Sequence, residues 1–349
     1  MILKALFERI PAVLCQGSWD TDIASIAMCS KEVTNNSLFI CIKGMEQDGH
    51  QYIQEAAERG AAACLIEEAF WKKSASVHGN LKQPEKKTSA YGELKLPEQM
   101  TIVSVQNTRE AAAWAAAAFY RYPSKELKVI GITGTKGKTS TTFMIRDILE
   151  AAGYKTGLLG TIDYEIGEEK KRAERTTPEA IDIQRYLRKM ADSGCRFAVM
   201  EVSSQGLKLH RSDGILFDVG VFTNLGRDHI GPKEHKDMAE YAHYKSLLFQ
   251  KCCFGIGNID DPYYREIFKD ASCQVCTYSC RQKADVQASD IMLVNRNGQL
   301  GTFFKVNGEE YAVSAPGAFS VYNAVAAITV CRHYGIDQEI IRKALKTIR

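Results

Sequence analysis

Apolar and polar positions in the first third of the chain predict short strands and helices in alternation. The segment "SLFICIKG" at 37–44 is almost wholly apolar before its final glycine, which favours a buried strand. The segment at 51–68 begins with a helical spacing of apolar residues, reaches Gly60, and continues as a second buried strand. An alanine-rich helix is predicted at 108–122. The polar, lysine-rich stretch at 72–98 lacks a clear period and predicts a mobile surface insertion.

From residue 128 the pattern becomes strand, loop and helix, repeated. Short apolar strands are predicted at 127–133, 196–204 and 217–225. Helices are predicted at 139–153, 177–194 and 238–249. Gly153 can end the first of these helices, and the second has Thr177 as a predicted N-cap with Pro178 at its first helical position. Strands that alternate with helices in this way imply a mainly parallel sheet with helices on both faces.

The sequence therefore predicts an α/β protein with two domains. Residues 1–124 form the predicted N-terminal α/β domain, and "YPSKEL" at 122–127 is the predicted linker. Residues 125–349 form the predicted central domain, in which helices flank a mainly parallel sheet. A chain of 349 residues is long enough for two or three ordinary cores.

Composition and charge are those of a globular protein without a polyanionic partner. The chain is 45% hydrophobic and 25% charged, and its formal net charge of +3 gives no reason to expect a nucleic-acid partner. The N-terminus carries Lys4, Glu8 and Arg9 within its apolar stretch, which favours an amphipathic element over a signal peptide. The longest apolar run, at 111–119, is too short to span a bilayer. We therefore expect a cytoplasmic monomer with no membrane insertion.

Three of the eleven cysteines, Cys273, Cys276 and Cys280, lie close together along the chain. Their spacing fits reduced thiols on a strand and the neighbouring loop. A zinc site would need a fourth ligand that the sequence does not place.

The segment "GITGTKGKTS" at 131–140 has the features of a phosphate-binding loop. An apolar strand enters it, glycines allow close approach to the backbone, and a helix begins at its Lys-Thr pair. Lys138 would reach the β- and γ-phosphates, and the hydroxyl of Thr139 would face Mg²⁺. The strict Walker spacing is not met, because Ile132 stands five positions before Gly137. An ordinary glycine-rich turn between strand and helix is the alternative.

Further candidate side chains follow the next two strands and lie in the last predicted helix. Glu201 ends one strand, where open α/β sheets bind ligands, and could complete a Mg²⁺ shell. A charged strand end is the alternative for Glu201. Asn224, Asp228 and His229 follow the next strand, where a structural histidine is the alternative. Lys245 lies one helical turn after Tyr241. It fits a solvated helix lysine, or a lysine that takes up CO₂ beside metals and becomes an anionic carbamate ligand.

Seven ordered blocks of the sequence resemble the Mur ligases, and among them most closely the type that adds the third residue of the peptide. These blocks are "TGTKGKTSTT", "TTPEAIDIQRYL", "MEVSSQGLKLHR", "FTNLGRDHI", "EYAHYKSLLF", "GNIDDP" and "GAFSVYNAVAA". The segment at 29–53 is similar to the family's uridine-nucleotide-binding domain. The resemblance extends from about residue 20 to the end of the chain.

The resemblance implies ATP-driven amide formation in peptidoglycan synthesis, with Mg²⁺, expected as two ions, as cofactor. The implied partners are ATP, UDP-N-acetylmuramoyl-L-Ala-D-Glu, and an amino acid, either diaminopimelate or lysine. The substrate carboxylate takes the γ-phosphate to give an acyl phosphate, which the amine of the amino acid attacks as phosphate leaves. Such catalysis consists of positioning and charge neutralisation.

The resemblance also implies a role for individual residues. It implies catalytic roles for Lys138, His229 and Lys245. The implied metal ligands are Thr139, Glu201, His229 and a carbamylated Lys245. The implied ATP-binding residues are Gly134, Thr135, Lys136, Gly137, Lys138, Thr139, Ser140 and, on the adenine side, Asn323. The uridine-nucleotide site is expected at Ser30, Asp48, Gly49 and His50, and the rest of the substrate at Thr176, Thr177, Ser204, Arg211 and Asn224.

The chain departs from the family pattern at several positions. Lys136 stands where the family usually has asparagine, Gln205 where it has histidine, and Gly231 where it has aspartate. Cys29-Ser30-Lys31 replaces a usual Asp-Ser-Arg. Family members continue into a C-terminal domain that selects the amino acid, and this chain stops at Arg349 before such a domain, so weak or absent ligation by this chain alone is expected.

Two other readings of the sequence stay open. One is another ligase of the superfamily, such as the folylpolyglutamate or cyanophycin type. The other is a non-catalytic module that binds ATP and a UDP-muramoyl peptide. A simple P-loop NTPase is disfavoured, because it would not explain the 130 residues before the loop or the later blocks.

Overall fold

The computed structural model describes residues 1–44, 47–78, 96–232, 234–296 and 299–348. The chain divides into two compact units, Met1–Arg121 and Tyr122–Arg349. In the described part of the chain, no helix combines the length and apolar character needed to cross a membrane.

Unit 1 is built on a five-stranded sheet, as far as the structure describes it, with strand order β1-β5-β4-β3-β2. The β1–β5 pair is antiparallel, and the other neighbours are parallel. The strands are β1 Val13–Gln16, β2 Ser25–Ala27, β3 Ser37–Ile40, β4 Ala61–Glu67 and β5 Thr101–Val105. The helices are α1 Leu3–Leu6, α2 Ile53–Glu58, α3 Glu68–His78 and α4 Thr108–Phe119. All residues of β3 are buried, as its apolar run predicts, and all residues of β5 are buried as well.

The predicted surface insertion at 72–98 needs a correction at its start. Helix α3 continues through His78, and an ion pair between Lys72 and Glu68, one turn apart, supports its exposed face. The remainder of the predicted insertion, at 79–95, lies outside the described residues.

Unit 2 is built on an eleven-stranded sheet in its described residues, with strand order β16-β15-β14-β13-β12-β11-β6-β10-β7-β8-β9. The strands are β6 Lys128–Thr133, β7 Thr156–Leu159, β8 Asp163–Ile166, β9 Glu169–Arg172, β10 Phe197–Glu201, β11 Phe217–Phe222, β12 Cys252–Asn258, β13 Gln274–Ser279, β14 Val286–Arg296, β15 Gln299–Val306 and β16 Glu309–Val313. The helices are α5 Lys138–Ala151, α6 Ala180–Asp192, α7 Ser204–Lys208, α8 Met238–Ser246, α9 Tyr264–Phe268, α10 Ala318–His333 and α11 Gln338–Thr347.

The seven central strands of this sheet, from β7 to β14, are parallel. The predicted α/β class with a mainly parallel sheet is therefore confirmed. Strand β6 lies between β10 and β11, so the carboxyl ends of all three strands meet at one edge of the sheet. Ile130 and Ile132 of β6 share one buried apolar cluster with Ile145 and Ile148 of α5, which fixes the loop between these two elements.

Two antiparallel additions flank the parallel strands and were not predicted. One is the β8–β9 hairpin, and the other is formed by β14, β15 and β16. Asn307 and Gly308 join β15 to β16 with φ of 52° and 90°, and two positive values are what a tight hairpin turn requires. The Asn-Gly dipeptide was the sequence signal for this turn.

The predicted start of the helix at Thr177 is wrong. Helix α6 begins at Ala180, with Glu179 as its N-cap. The Thr177 hydroxyl is used elsewhere, since it donates to the carbonyl of Glu201 over 3.0 Å and accepts from the backbone N–H of Ser203 over 3.0 Å. These bonds tie the residues before α6 to the end of β10.

The three clustered cysteines are partly buried free thiols on and around β13. Burial raises the pKa of Cys276 to about 11 and that of Cys280 to about 12, so these two groups are held as thiols at neutral pH.

Candidate active site

The glycine-rich loop joins the end of β6 to the start of α5. Gly134 and Gly137 have φ of 150° and 85°, values that favour glycine. A Cβ at Gly134 would collide with the Thr223 hydroxyl, and one at Gly137 would collide with the amide oxygen of Asn323. Gly137 is the N-cap of α5, so the first backbone N–H groups of that helix face the loop without an intrahelical partner.

The side chain of Asn224, which follows β11, holds this loop in place. Its Oδ1 accepts from the N–H of Lys136 over 3.0 Å, and its Nδ2 donates to the carbonyl of the same residue over 2.9 Å. Its own carbonyl accepts from the N–H of Thr135 over 2.8 Å. The predicted substrate residue Asn224 is thus bonded to the phosphate loop itself.

Two lysines converge on the loop from different helices. Lys138, in the first turn of α5, donates to the carbonyls of Gly134 and Thr135 over 2.9 and 3.1 Å. Lys245, in the last turn of α8, donates to the same Gly134 carbonyl over 2.9 Å and is 1% exposed. Burial lowers the pKa of Lys138, against the charges of Glu201 and Asp228. Burial and then the charge of Lys138 hold the pKa of Lys245 well below its ordinary value.

Glu201 ends β10, beside the loop strand β6, and is 1% exposed. Its two carboxylate oxygens accept from the backbone N–H and the hydroxyl of Thr161, over 2.8 and 3.0 Å. The Thr161 hydroxyl also lies 3.1 Å from that of Thr176. These bonds fix one predicted metal ligand and bring it towards a predicted substrate residue.

His229 is a half-exposed residue after β11, in the left-handed region with φ of 55°. Its Nδ1 lies 2.8 Å from a carboxylate oxygen of Glu234, which leaves Nε2 as the nitrogen available to a ligand. In the portion of the chain that the structure describes, no group of three or more His, Cys, Asp and Glu side chains is arranged to hold a metal ion. A metal site here would thus draw on Thr139, which lies in the first turn of α5, and on Lys245, beside Glu201 and His229.

A pocket of about 180 Å³ gathers most of the predicted substrate and catalytic residues. From the prediction it includes Lys138, Thr176, Thr177, Ser204, Arg211, His229 and Lys245. The sequence did not single out five others, Ser203, Gln205, Glu234, His235 and Tyr241, as site residues. Arg211 donates to the carbonyl of Thr177 over 3.2 Å and pairs with Glu179 over 2.8 Å, so its guanidinium is held at the pocket wall.

A second cavity, of about 450 Å³, is also lined by residues of the loop. Five of its lining residues were predicted to bind ATP or substrate, namely Lys136, Gly137, Ser140, Asn224 and Asn323. The other eight are Thr223, Asn258, Asp260, Asp261, Pro262, Arg281, Phe319 and Tyr322. The "GNIDDP" block at 257–262 was the sequence signal for four of these.

Asp260 organises the wall of this second cavity. It accepts hydrogen bonds from the hydroxyls of Tyr322 and Ser279, each over 2.8 Å, and from the N–H of Cys280 over 2.7 Å. Although burial opposes the shift, these bonds lower the pKa of Asp260, so the wall carries a fixed negative charge. Asn258 donates to the carbonyl of Thr223 over 2.8 Å, which links this wall to the end of β11.

The four predicted uridine-site residues lie in unit 1, and the structure gives three of them internal partners. Ser30 donates to Glu55 over 3.0 Å. Asp48 lies 2.6 Å from Nδ1 of His50, whose Nε2 accepts from the N–H of Glu67 over 3.1 Å. His50 is 1% exposed and stacks on Phe70.

Gly49 packs against the backbone between Cys41 and Ile42, where a Cβ would not fit. Together with the internal bonds of Ser30, Asp48 and His50, this packing shapes the loop after β3.

Comparison with known proteins adds family matches to this geometry. A family model described as Mur ligase middle domain matches residues 132–331, and one described as Mur ligase family, catalytic domain, matches residues 22–120. The UDP-N-acetylmuramoyl-L-alanyl-D-glutamate--2,6-diaminopimelate ligase of Clostridium tetani is 36% identical over 348 residues, which are 100% of this chain and 67% of the relative. Ligase 2 of the same name from Clostridium acetobutylicum is 38% identical over 352 residues, 100% of this chain and 68% of the relative.

A solved structure of a ligase with this name supports the fold. Its TM-score is 0.76 at 21% identity, over 99% of this chain and 66% of that chain. The chain thus spans about two thirds of the length of the curated relatives that it matches.

Proposed function

The chain belongs to the Mur ligase family, as its ordered sequence blocks predicted, and from this premise we propose that it is an ATP-dependent ligase that joins 2,6-diaminopimelate to UDP-N-acetylmuramoyl-L-alanyl-D-glutamate. The reaction forms one amide bond. The γ-phosphate of ATP is transferred to the substrate carboxylate, the diaminopimelate amine attacks the acyl phosphate, and inorganic phosphate and a proton leave.

The phosphate end of ATP is assigned to the loop and to Lys138. The free N–H groups at the start of α5 and the Lys138 ammonium hold the β- and γ-phosphates. When the phosphates bind, they replace the two loop carbonyls as hydrogen-bond acceptors of Lys138. The adenine side is assigned to the 450 Å³ cavity, at whose edge Asn323 lies against Gly137. Lys138 thereby neutralises the negative charge that develops as the phosphoryl group moves.

Magnesium is assigned to Thr139, Glu201, His229 and Lys245. A bound Mg²⁺ ion supplies charge neutralisation at the phosphate oxygens. The residues fit an ion that prefers oxygen ligands, because the Glu201 carboxylate is already fixed by Thr161 at the carboxyl end of β10. His229 is oriented by Glu234, with its Nε2 directed away from that bond.

Lys245 fits a carbamate for a physical reason. Its low pKa favours the neutral amine, which is the form that adds to CO₂. The amine nitrogen forms a bond to the CO₂ carbon and loses one proton, so that a buried basic group becomes an anionic oxygen ligand. The burial that would otherwise oppose a charged lysine here therefore supports this modification.

The two ends of the substrate are assigned separately. The UDP end belongs to unit 1, at the loop shaped by Ser30, Asp48, Gly49 and His50. The dipeptide end belongs to the 180 Å³ pocket, where Thr176, Thr177, Ser204 and Arg211 would hold its carboxylates and amides. Arg211 supplies a planar guanidinium suited to a carboxylate.

One observation carries the proposal: two basic side chains, Lys138 and Arg211, and the proposed metal ligand Lys245 reach the same small pocket from three different parts of unit 2. Such a site favours a carboxylate next to a phosphoryl group. A simple nucleotide hydrolase would need no pocket of this kind beside its phosphate loop.

The test is phosphate release by this chain with ATP, Mg²⁺ and UDP-N-acetylmuramoyl-L-Ala-D-Glu. Parallel reactions contain diaminopimelate, lysine or no amino acid. Ligation by this chain alone is expected to be weak, so release that depends on diaminopimelate, with the tripeptide product detected by mass, is the result that would establish the reaction. No release, although ATP and the UDP substrate both bind, would favour the non-catalytic alternative. A chain that binds ATP and not the UDP substrate would favour another ligase of the superfamily.

A further inference from the structure

We propose that Tyr241 is a positioning residue that ties Lys245 to the phosphate loop, with its ring against the lysine and its hydroxyl against Thr135. The inference rests on the proposed function of this site. It assigns a task to a residue that lines the 180 Å³ pocket and acts through Lys245 and Thr135.

The first contact is between Tyr241 and Lys245 on one face of α8. The two residues are four positions apart, so their side chains lie over one another on the helix. The Lys245 Nζ atom lies 4.5 Å from the centre of the Tyr241 ring. Both residues are 1% exposed, so the ring is a fixed wall against which the lysine rests.

The second contact reaches a distant part of the sequence. The Tyr241 hydroxyl lies 3.2 Å from the Thr135 hydroxyl, within hydrogen-bond distance. Thr135 is the loop residue next to Gly134, the acceptor that Lys245 uses. The apolar ring face of Tyr241 therefore contacts Lys245, and its hydroxyl contacts Thr135 in the loop.

The Thr135 hydroxyl has a further partner that allows the tyrosine hydroxyl to be tested alone. It accepts from the N–H of Gly226 over 3.0 Å. If the Tyr241 hydroxyl is removed, the Thr135 hydroxyl keeps its two hydrogen bonds to Gly226, and Lys245 still donates to the Gly134 carbonyl. The loop then loses only its bond to the Tyr241 side chain. A change in nucleotide affinity without a change in folding is the consequence that separates positioning from bulk stability.

The ring also faces the two histidines of the site. Its centre lies 5.0 Å from that of His235 and 6.0 Å from that of His229. Tyr241 is therefore the element of α8 around which the loop, Lys245 and both imidazoles are arranged.

The experiment compares the 349-residue chain with Tyr241→Phe, Tyr241→Leu and the control Tyr311→Phe. Tyr311 is a matched control because it is also 1% exposed, has one hydroxyl bond, to Arg332 over 3.0 Å, and carries that cation over its ring. Three quantities are measured for each protein: the dissociation constant for ATP, the melting temperature, and the rate at which Lys245 reacts with an amine-specific label, read by mass spectrometry.

We expect Tyr241→Phe to weaken ATP binding about two- to tenfold, the range of one neutral hydrogen bond, and to leave Lys245 protected. Tyr241→Leu should also raise the labelling rate of Lys245, by about three- to thirtyfold, because the ring wall is lost. Tyr311→Phe should change the melting temperature as much as Tyr241→Phe does, with wild-type ATP binding and wild-type protection of Lys245.

Three results would overturn the inference. These are wild-type ATP affinity in Tyr241→Phe, an equal loss in Tyr311→Phe, and full protection of Lys245 in Tyr241→Leu. A wild-type chain that binds ATP but ligates nothing, together with the expected losses in the variants, would leave this inference standing and reject the proposed reaction. A wild-type chain that binds no ATP would reject both.

Discussion

Lys138 and Lys245 donate hydrogen bonds to one acceptor, the carbonyl oxygen of Gly134, each over 2.9 Å. Their nitrogens are therefore separated by at most twice that distance, although the residues lie on different helices. Two basic groups this close, in a buried place, repel one another when both are charged. The arrangement favours an anion between them, or the loss of one positive charge, and both are features of the proposed reaction.

Lys245→Ala should abolish most Mg²⁺-dependent ligation. The variant loses the side chain that would carry the carbamate, and with it an anionic metal ligand. We expect phosphate release to fall at least about a hundredfold, and to recover in part when a small carboxylate such as acetate is added. Lys236→Ala, an exposed lysine just before the same helix, is the control. Full activity of Lys245→Ala would show that Lys245 is not a metal ligand.

Lys245 should also lower the free energy of unfolding, by an amount that depends on pH. Its pKa in the folded chain is well below the ordinary 10.5, so the unfolded chain binds an extra proton between the two values. The contribution of Lys245 to the free energy of unfolding therefore rises with pH across that interval, and it is constant below the pKa in the folded chain. Lys245→Met should raise the free energy of unfolding at pH 7 by about 1–3 kcal/mol and flatten this rise.

Urea unfolding of both proteins at several pH values between neutrality and 10.5 would measure this difference. If Lys245→Met were destabilising at pH 7, with an unchanged pH dependence, the lysine would be charged and well solvated or paired in the folded chain. A variant that is more stable and inactive would instead identify a residue retained for function at the expense of stability.

Glu201→Gln should weaken metal binding and leave the fold intact. An amide has the shape of the carboxylate and can keep bonds to the N–H and hydroxyl of Thr161, but it carries no charge. We expect the affinity for Mn²⁺, as a spectroscopic substitute for Mg²⁺, to fall about 10- to 100-fold. The control is Glu169→Gln, whose partner Lys189 lies on the surface of unit 2. Equal Mn²⁺ affinity in both variants would remove Glu201 from the metal site.

Gly137→Ala should impair nucleotide binding beyond its effect on the backbone. Gly137 and Gly153 have nearly the same φ, 85° and 86°, so alanine at either position should cost about 1–2 kcal/mol of stability. Only at Gly137 does the new Cβ meet another group, the amide of Asn323 at the edge of the 450 Å³ cavity.

The comparison of Gly137→Ala with Gly153→Ala thus isolates the effect on the cavity. We expect ATP affinity to fall at least about tenfold in Gly137→Ala, from the steric displacement of Asn323, and to be unchanged in Gly153→Ala. Calorimetric titration with ATP measures both. Matching affinities would argue against the assignment of Asn323 to the nucleotide.

Local features of the fold were readable from the sequence where neighbouring residues decide them. The order of strands and helices, the loop with Gly134 and Gly137, and the start of a helix at Lys138 follow from short apolar runs and from glycine at strained positions. The family followed from ordered blocks. The Asn307–Gly308 turn was equally local and was overlooked.

Another expectation failed because a distant residue competed for the same group. Thr177 had the residue type and the position of an N-cap, but its hydroxyl is engaged by the end of β10. That interaction lies outside any local window of sequence around Thr177. Helix α3 is a different case: it extended into a stretch whose composition favoured irregular structure, and a local pair between Lys72 and Glu68 supports it.

The sequence by itself determined which chemical groups this protein carries, their order along the chain, and the α/β class that presents them at the ends of strands. Only the tertiary structure decided that Lys245 reaches Gly134 from 111 positions away and that Tyr241 stands between Lys245 and Thr135. The reason is that sheet order places β10 and β11 on either side of β6, and burial then removes water from the groups that meet there. The distances between these side chains and the pKa of Lys245 both depend on that packing, which exists only in the folded chain.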